Sequence, residues 1–234
     1  MNARGESPRA FRAQICHGAP VSDPASSLSG RRTLLVMVVI VAIAAVPAVV
    51  VPMVLLREKP PHLDDYGVIP AFSLVDERGQ AFTEQALHGK ATIVSFLFTR
   101  CDLECPVTSM KMANIQDKVL LDDGVKLLSI TVDPAYDTPE RLAAYAAKFH
   151  ADPTKWRFVT GAPDAVMALI RRGFMLYTAP DGTLQKNGAP SIAHRGDFFL
   201  LDGDLHLRGT FEHNDITRID ALIRAARYLA RTAN

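Results

Sequence analysis

The sequence is poor in cysteine and in tryptophan, and it has no excess of charge of either sign. Its 234 residues include three cysteines and one tryptophan, and 26 Lys and Arg balance 25 Asp and Glu to a formal net charge of +1. Three cysteines are too few for a disulfide-stapled scaffold, which needs an even and denser set. The balanced charge, with no basic run interleaved with aromatic residues, excludes nucleic acid as an expected partner.

A long uncharged apolar run lies near the N-terminus. Residues 34–56 read LLVMVVIVAIAAVPAVVVPMVLL. At a rise of about 1.5 Å per residue, a helix of this length crosses a hydrocarbon core about 30 Å thick. The two prolines in the run are tolerated in a membrane-spanning helix, because neighbouring groups can satisfy the freed backbone. The run therefore predicts one N-terminal transmembrane helix over residues 34–56.

The flanks of this run predict its orientation, because the positive-inside rule keeps an arginine-rich end in the cytoplasm. Five arginines precede the run: Arg4, Arg9, Arg12, Arg31 and Arg32. We expect a disordered cytoplasmic tail over 1–33, an anchor in the inner (plasma) membrane over 34–56, a linker over 57–67 and a folded periplasmic domain over 68–234. A cleaved signal peptide, with Ala42-Ile43-Ala44 as its cleavage site, is the alternative and places the domain on the same side.

The exported part alternates between strand-like and helix-like segments. Strands are predicted as a hairpin within 72–83 and then over 91–99, 125–132, 157–160, 197–201 and 205–211. Helices are predicted after the strand 91–99, with Pro106 in the first turn and an end near residue 121, from a cap at Asp137 to 149, over 163–173 and over 216–229. Residues 177–193 are expected to be a long irregular segment, since glycine, proline and polar residues dominate them. This order predicts an α/β fold with a central mixed sheet flanked by helices.

Two of the cysteines stand where α/β proteins place their functional sites. Cys101 and Cys105 directly follow the apolar strand 91–99 and lie near the N-terminus of the next helix. The partial positive charge of a helix N-terminus stabilises a thiolate. With three residues between them, both sulfurs can reach one metal ion, or they can close a disulfide after local unwinding. Cys16 stands apart near the N-terminus and has no assigned role.

Two thiolates do not saturate a metal ion, so an imidazole is the natural third ligand to seek. Soft thiolates together with an imidazole favour Cu(I) or zinc. His194, where the long irregular segment meets the strand 197–201, is one candidate among several, and the residue pattern alone does not single it out. His206 and His213 lie in or beside the last strand, where we expect a solvated face.

Four motifs in order make the sequence resemble the Sco/SenC family over about residues 68–230. They are Phe98-Thr99-x-Cys101-x-x-x-Cys105-Pro106, Thr131-Val132-Asp133-Pro134-x-x-Asp137-Thr138-Pro139, Trp156 with Thr160-Gly161, and His194. The resemblance implies a thioredoxin-like fold tethered to the membrane. It also implies copper, as Cu(I) or Cu(II), bound by two cysteines and one histidine, which here are Cys101, Cys105 and His194.

The resemblance further implies a role in assembling the dinuclear copper centre of cytochrome c oxidase. The expected partners are the copper-bearing subunit of the oxidase and other periplasmic copper chaperones or thioredoxin-like reductases. The main hypothesis is a metallochaperone without turnover. The alternative is a thiol–disulfide oxidoreductase in which Cys101 and Cys105 are catalytic and reduce the oxidase copper-site cysteines. A peroxidase of related fold is less well supported, since it does not need the paired cysteines and His194.

The chain also departs from the family at two points beside the expected ligands. Asp102-Leu103-Glu104 separate the cysteines where the family usually has Pro-Asp after the first one, and Arg195 follows the histidine where a serine is common. Asp133 and Asp137 match acidic positions of the family, and we interpret Asp137 as a helix cap. Two methionines after the site, at 110 and 112, are expected to fill the core.

Overall fold

A computed structural model describes residues 26–55, 61–102, 104–176, 179–185, 190–193 and 196–232. The chain divides into two units, Met1–Glu58 and Lys59–Asn234. Several predictions fall outside the described residues: the tail up to residue 25 with Cys16, the first four residues of the linker (57–60), and His194 with Arg195.

The first unit contributes one helix, α1 (Ser26–Leu55). Its large apolar side chains from Leu34 to Ile43 are 51–67% exposed. The structure describes the side chains of this helix without a break only over residues 30–43. Within the described residues, no helix is found that is both long and apolar enough to cross a membrane.

The second unit is an α/β domain. Its strands are β1 (Ser73–Asp76), β2 (Ala81–Thr83), β3 (Ala91–Leu97), β4 (Val125–Thr131), β5 (Trp156–Thr160), β6 (Ala179–Leu184), β7 (Pro190–Ala193), β8 (Phe198–Leu201) and β9 (Leu207–Phe211). Its helices are α2 (Glu104–Lys118), α3 (Pro139–Lys148), α4 (Pro163–Gly173) and α5 (Ile216–Thr232), with a short 3₁₀ helix at Glu84–Ala86. Seven strands form one mixed sheet in the order β2-β1-β5-β4-β3-β8-β9, whereas β6 and β7 form a separate hairpin.

The centre of the sheet is parallel and its edges are antiparallel. Strand β3 runs parallel to β4, and β4 runs parallel to β5. The hairpins β1–β2 and β8–β9 add antiparallel strands on either side. Every residue of β3 is buried, as expected for a central parallel strand that helices cover on both faces. The predicted mixed sheet flanked by helices is therefore confirmed.

A small polar cluster lies within the apolar core and joins three neighbouring strands. The hydroxyl oxygens of Ser95 on β3 and Ser129 on β4 are 2.8 Å apart. The indole Nε1 of Trp156 on β5 donates a hydrogen bond to the Ser129 hydroxyl at 2.9 Å. The Trp156 side chain is 1% exposed, and its ring centroid lies 4.7 Å from that of Phe158. The buried polar atoms of these three side chains are thus satisfied by one another.

The segment before β1 covers part of the edge strand β9. The backbone N–H of Tyr66 donates to the carbonyl of Leu207, and the N–H of Leu207 donates to the carbonyl of Gly67, each at 2.9 Å. His206 Nδ1 lies 2.9 Å from Asp65 Oδ1, and this hydrogen bond raises the pKa of the imidazole. The predicted solvated face is confirmed at His206, because its side chain is 34% exposed and pairs there with an exposed carboxylate.

The prediction of an irregular segment over residues 177–193 is wrong for 179–184 and 190–193, the parts that form strands. Strands β6 and β7 pair as an antiparallel hairpin with a bulge. Their sequences, APDGTL and PSIA, contain the prolines and glycine that are depleted in strands. Strand propensity alone therefore does not predict this pairing.

Candidate metal centre

The two cysteines lie at the carboxyl end of the central strand β3. The strand ends at Leu97, the chain turns through residues 98–101, and α2 begins at Glu104. Cys101 is partly exposed in this turn, whereas Cys105 is completely buried in the first turn of α2. The predicted placement of the pair, between a buried strand and a helix N-terminus, is confirmed.

The cysteines are thiols in direct contact and are not joined by a disulfide. The backbone N–H of Cys105 donates to the Sγ of Cys101 at 3.4 Å, so the helix N-terminus points at this sulfur. The hydrogen bond to Cys101 and, after it, burial raise the pKa of the Cys105 thiol. The two sulfurs are therefore inequivalent: the partly exposed Cys101 accepts the hydrogen bond from the Cys105 N–H, and the buried Cys105 thiol holds its proton more strongly than an ordinary cysteine does.

The turn before Cys101 is fixed by the carboxylate of Asp137. This fully buried carboxylate accepts hydrogen bonds from the backbone N–H of Thr99 at 3.1 Å, from the Thr99 hydroxyl at 2.5 Å and from the Thr131 hydroxyl at 2.6 Å. Burial raises the pKa of Asp137, and the hydroxyl donors oppose that effect. Asp137 thus ties the end of β4 to the turn that carries Cys101.

The interpretation of Asp137 as a helix cap is wrong. Thr138 is the N-cap of α3, and its side chain accepts a hydrogen bond from the backbone N–H of Arg141 at 3.4 Å. Aspartate and threonine are both good N-cap residues. The sequence therefore offers two adjacent candidates, and only the tertiary contacts of Asp137 separate their roles.

A second carboxylate holds the same turn from its exposed side. Arg100 Nε donates to Asp133 Oδ2 at 2.7 Å, and the guanidinium carbon lies 4.3 Å from the ring centroid of Tyr136. Asp133 and Asp137 follow β4 directly. The two sequence motifs around 98–105 and 131–139 are therefore in contact, and the second one positions the first.

The wall behind Cys105 contains a buried hydroxyl pair. Ser109, one helical turn after Cys105, has its hydroxyl oxygen 3.0 Å from that of Tyr145 on α3, and burial raises the pKa of this tyrosine.

The two methionines after the site differ in burial. Met112 is buried in the core as predicted, whereas Met110 is 59% exposed, so the expectation of a core role is wrong for Met110.

The third expected ligand, His194, lies outside the described residues. Among the residues that are described, no group of three His, Cys, Asp or Glu side chains is arranged to hold a metal ion. Cys101 and Cys105 thus supply two adjacent soft donors, and β7 ends at Ala193, immediately before His194 in the chain. Within the described residues, these two sulfurs are the donors that suit a copper ion.

The chain just after His194 packs against His213, which sequence reasoning placed on a solvated face. That expectation is wrong, because His213 is 8% exposed and its carbonyl oxygen accepts a hydrogen bond from Lys111 Nζ of α2 at 2.7 Å. A Cβ atom at Gly196 would lie 2.7 Å from Cε1 and 2.8 Å from Nδ1 of the His213 ring. No signal in the sequence links these two positions.

Gly196→Ala is expected to destabilise the domain by about 1–3 kcal/mol, because the added methyl group collides with a buried ring. The measurement is urea unfolding followed by circular dichroism. Combining the change with His213→Ala should recover part of the loss, giving a clear interaction energy in the double-mutant cycle. Strict additivity of the two single effects would show that the close packing is not the cause.

Known proteins resemble this chain both in sequence and in structure. The protein sco1 of Schizosaccharomyces pombe is 29% identical over 163 residues, which are 69% of this chain and 61% of that protein, so the chain spans less than two thirds of this relative. The solved structure of ScoI from Bradyrhizobium japonicum, with copper bound, is 27% identical, with a TM-score of 0.60 over 70% of this chain and all of that one. A SCO1/SenC family lipoprotein from Bacillus anthracis is 26% identical, with a TM-score of 0.61 over 74% of this chain and 98% of that one.

The family model described as SCO1/SenC matches residues 61–230, which include the whole sheet and both cysteines. That match covers well over half of the chain and lies wholly within the second unit. This protein belongs to the SCO1/SenC family.

Proposed function

We propose that this protein is a membrane-anchored copper metallochaperone that binds copper through Cys101, Cys105 and His194. The observation that carries the proposal is the contact between the two cysteines at the N-terminus of α2, where the Cys105 N–H donates to Cys101 Sγ at 3.4 Å. Soft thiolates with an imidazole select Cu(I) over harder cations. Copper is the cargo of this site, and the partial exposure of Cys101 suits its release to a partner.

The proposed recipient is the dinuclear copper centre of cytochrome c oxidase, through its copper-bearing subunit. Family membership and the copper-bound relative support copper as the cargo. Other periplasmic copper chaperones or thioredoxin-like reductases are the proposed partners for loading and for thiol reduction. We further propose that residues 34–56 anchor the protein in the inner membrane with its N-terminus in the cytoplasm, supported by the uncharged run and the five arginines before it.

The experiment that tests the ligand set compares copper binding by the full-length wild type and by His194→Ala. Each reduced protein, in detergent, receives Cu(I) without oxygen, and the bound copper is then titrated with a competing chelator. One copper per chain is expected in the wild type, held at least about tenfold more weakly in His194→Ala. His88→Ala, which changes an exposed histidine, is the matched control and should bind as the wild type does. Equal affinity in His194→Ala would remove this residue from the site.

The inequivalence of the two sulfurs also favours a second function, a thiol–disulfide oxidoreductase. The Cys101 thiolate would attack a partner disulfide, forming a mixed disulfide and releasing one partner thiolate. Cys105 would then lose its proton and attack Cys101 Sγ, so that the partner leaves with both its sulfurs reduced and this protein holds the disulfide. Oxidised glutathione is a suitable test substrate, and His194→Ala should retain the reaction. A reduced protein that leaves glutathione disulfide intact would exclude this function.

A further inference from the structure

We propose that Gln185 is a positioning residue that ties the β6–β7 hairpin to the loop between the two cysteines. The proposal rests on the proposed function, because it concerns how the backbone beside the copper ligand Cys101 is held. It adds a residue that lies outside the cysteine and histidine motifs of the sequence.

The contact that carries the proposal joins the hairpin to the cysteine loop. The side-chain Oε1 of Gln185 accepts a hydrogen bond from the backbone N–H of Asp102 at 3.0 Å. Asp102 directly follows Cys101, and Gln185 directly follows β6. The bond therefore spans 83 positions in the chain and ends one residue away from a proposed copper ligand.

The β6–β7 hairpin needs such a contact, because its strands pair with each other and lie in a sheet of their own. Within the described residues, neither strand belongs to the seven-stranded sheet. An isolated two-stranded hairpin is marginally stable in water. Hydrogen bonds that join it to the remainder of the domain thus contribute strongly to where it lies.

The contact lies at the end of the hairpin where β6 leads towards β7. Leu184 pairs with Pro190 at this end, whereas Ala179 pairs with Ala193 at the other. Because Gln185 follows Leu184, its hydrogen bond fastens this end of the hairpin to the residue after Cys101. The bond therefore restrains the backbone next to a proposed copper ligand.

The chemistry of Gln185 suits the charges around it. Two acidic residues, Asp102 and Glu104, lie between the cysteines in the chain. The proposed copper ligands are thiolates, so they are also negatively charged. A neutral amide oxygen satisfies the Asp102 N–H without adding a further negative charge to this cluster. A carboxylate could accept the same hydrogen bond but would repel its neighbours.

The test uses Gln185→Met, which keeps the length of the side chain and removes the acceptor. In the copper-free, full-length protein, hydrogen exchange at the Asp102 amide should become about three- to tenfold faster, the effect of losing one hydrogen bond. In the Cu(I)-loaded protein, release of copper to a chelator should accelerate by a similar factor. Gln85→Met, at an exposed glutamine of the 3₁₀ helix, is the matched control and should change neither rate.

Gln185→Glu separates loss of the acceptor from loss of the amide. It retains an acceptor oxygen, so the Asp102 amide should remain protected, and equal exchange in the Glu and Met variants would overturn the proposal. Unchanged exchange in Gln185→Met would overturn it as well. Faster exchange with unchanged copper release would show that the bond exists but does not position the site. Failure of the wild type to bind copper would instead contradict the proposed function, and the exchange result would still decide whether the bond forms.

Discussion

Cys105→Ala is expected to lower the affinity of the protein for Cu(I) by more than about a hundredfold. Loss of a residue that merely supports a metal ligand commonly costs about 10–100-fold in affinity, so loss of a ligand should cost more. Cys105 is fully buried and in contact with Cys101, so alanine leaves only one thiolate beside a small void. The measurement is a competition between protein and chelator for Cu(I) without oxygen. Cys101→Ala should behave in the same way.

The third cysteine provides the matched control for both variants. Cys16→Ala makes the same chemical change at a position far along the chain from the pair, and it should retain the affinity of the wild type. Urea unfolding of the copper-free proteins separates binding from folding, because loss of one buried sulfur should cost about 1 kcal/mol. Wild-type affinity in Cys105→Ala, or a matching loss in Cys16→Ala, would refute the assignment of the site.

The second large effect is expected at Asp137. Asp137→Ala removes the common acceptor of the Thr99 N–H, the Thr99 hydroxyl and the Thr131 hydroxyl. A buried donor left without a partner costs about 1–3 kcal/mol. The free energy of unfolding should therefore fall by about 3 kcal/mol, and the affinity for Cu(I) should fall by at least about tenfold, because the turn carrying Cys101 loses its anchor.

Asp215→Ala is the comparison for Asp137→Ala. Asp215 accepts hydrogen bonds from the backbone N–H of Thr217 at 2.8 Å and of Arg218 at the start of α5. Its loss should cost only about 1 kcal/mol, the usual cost of an N-cap, with no change in copper affinity. If Asp137→Ala cost no more than this, or if both variants bound copper equally well, the anchoring role of Asp137 would be wrong.

The elements that the sequence predicts best are those that a local pattern of residues specifies. Strands β3 and β4 are mostly apolar runs, and the predicted bounds differ from the observed ones by at most two residues. The position of Cys101 and Cys105 follows from the same run, because a buried strand must end before the next helix begins. The helix α3 begins at a proline after a good N-cap residue, which is a strong local signal.

The sequence predicts least well those features that depend on contacts between distant segments. The β6–β7 hairpin contains residues that disfavour strands, so its pairing is visible only in the fold. Asp137 carries an ordinary capping signature, yet its partners Thr99 and Thr131 lie at the ends of two other segments. His213 is buried because Gly196 leaves room for its ring, and nothing in the local sequence of either residue indicates this packing.

The buried position of Trp156 gives the protein an internal optical probe of its own folding. As the one tryptophan in the chain, it accounts for essentially all indole emission. Its ring lies on β5 in a dry environment and donates to Ser129 on the neighbouring strand. Emission should therefore be shifted to short wavelength in the native state and move to longer wavelength when the sheet opens to water. The spectrum of this single indole reports the integrity of the sheet, independently of the chemistry at the cysteines.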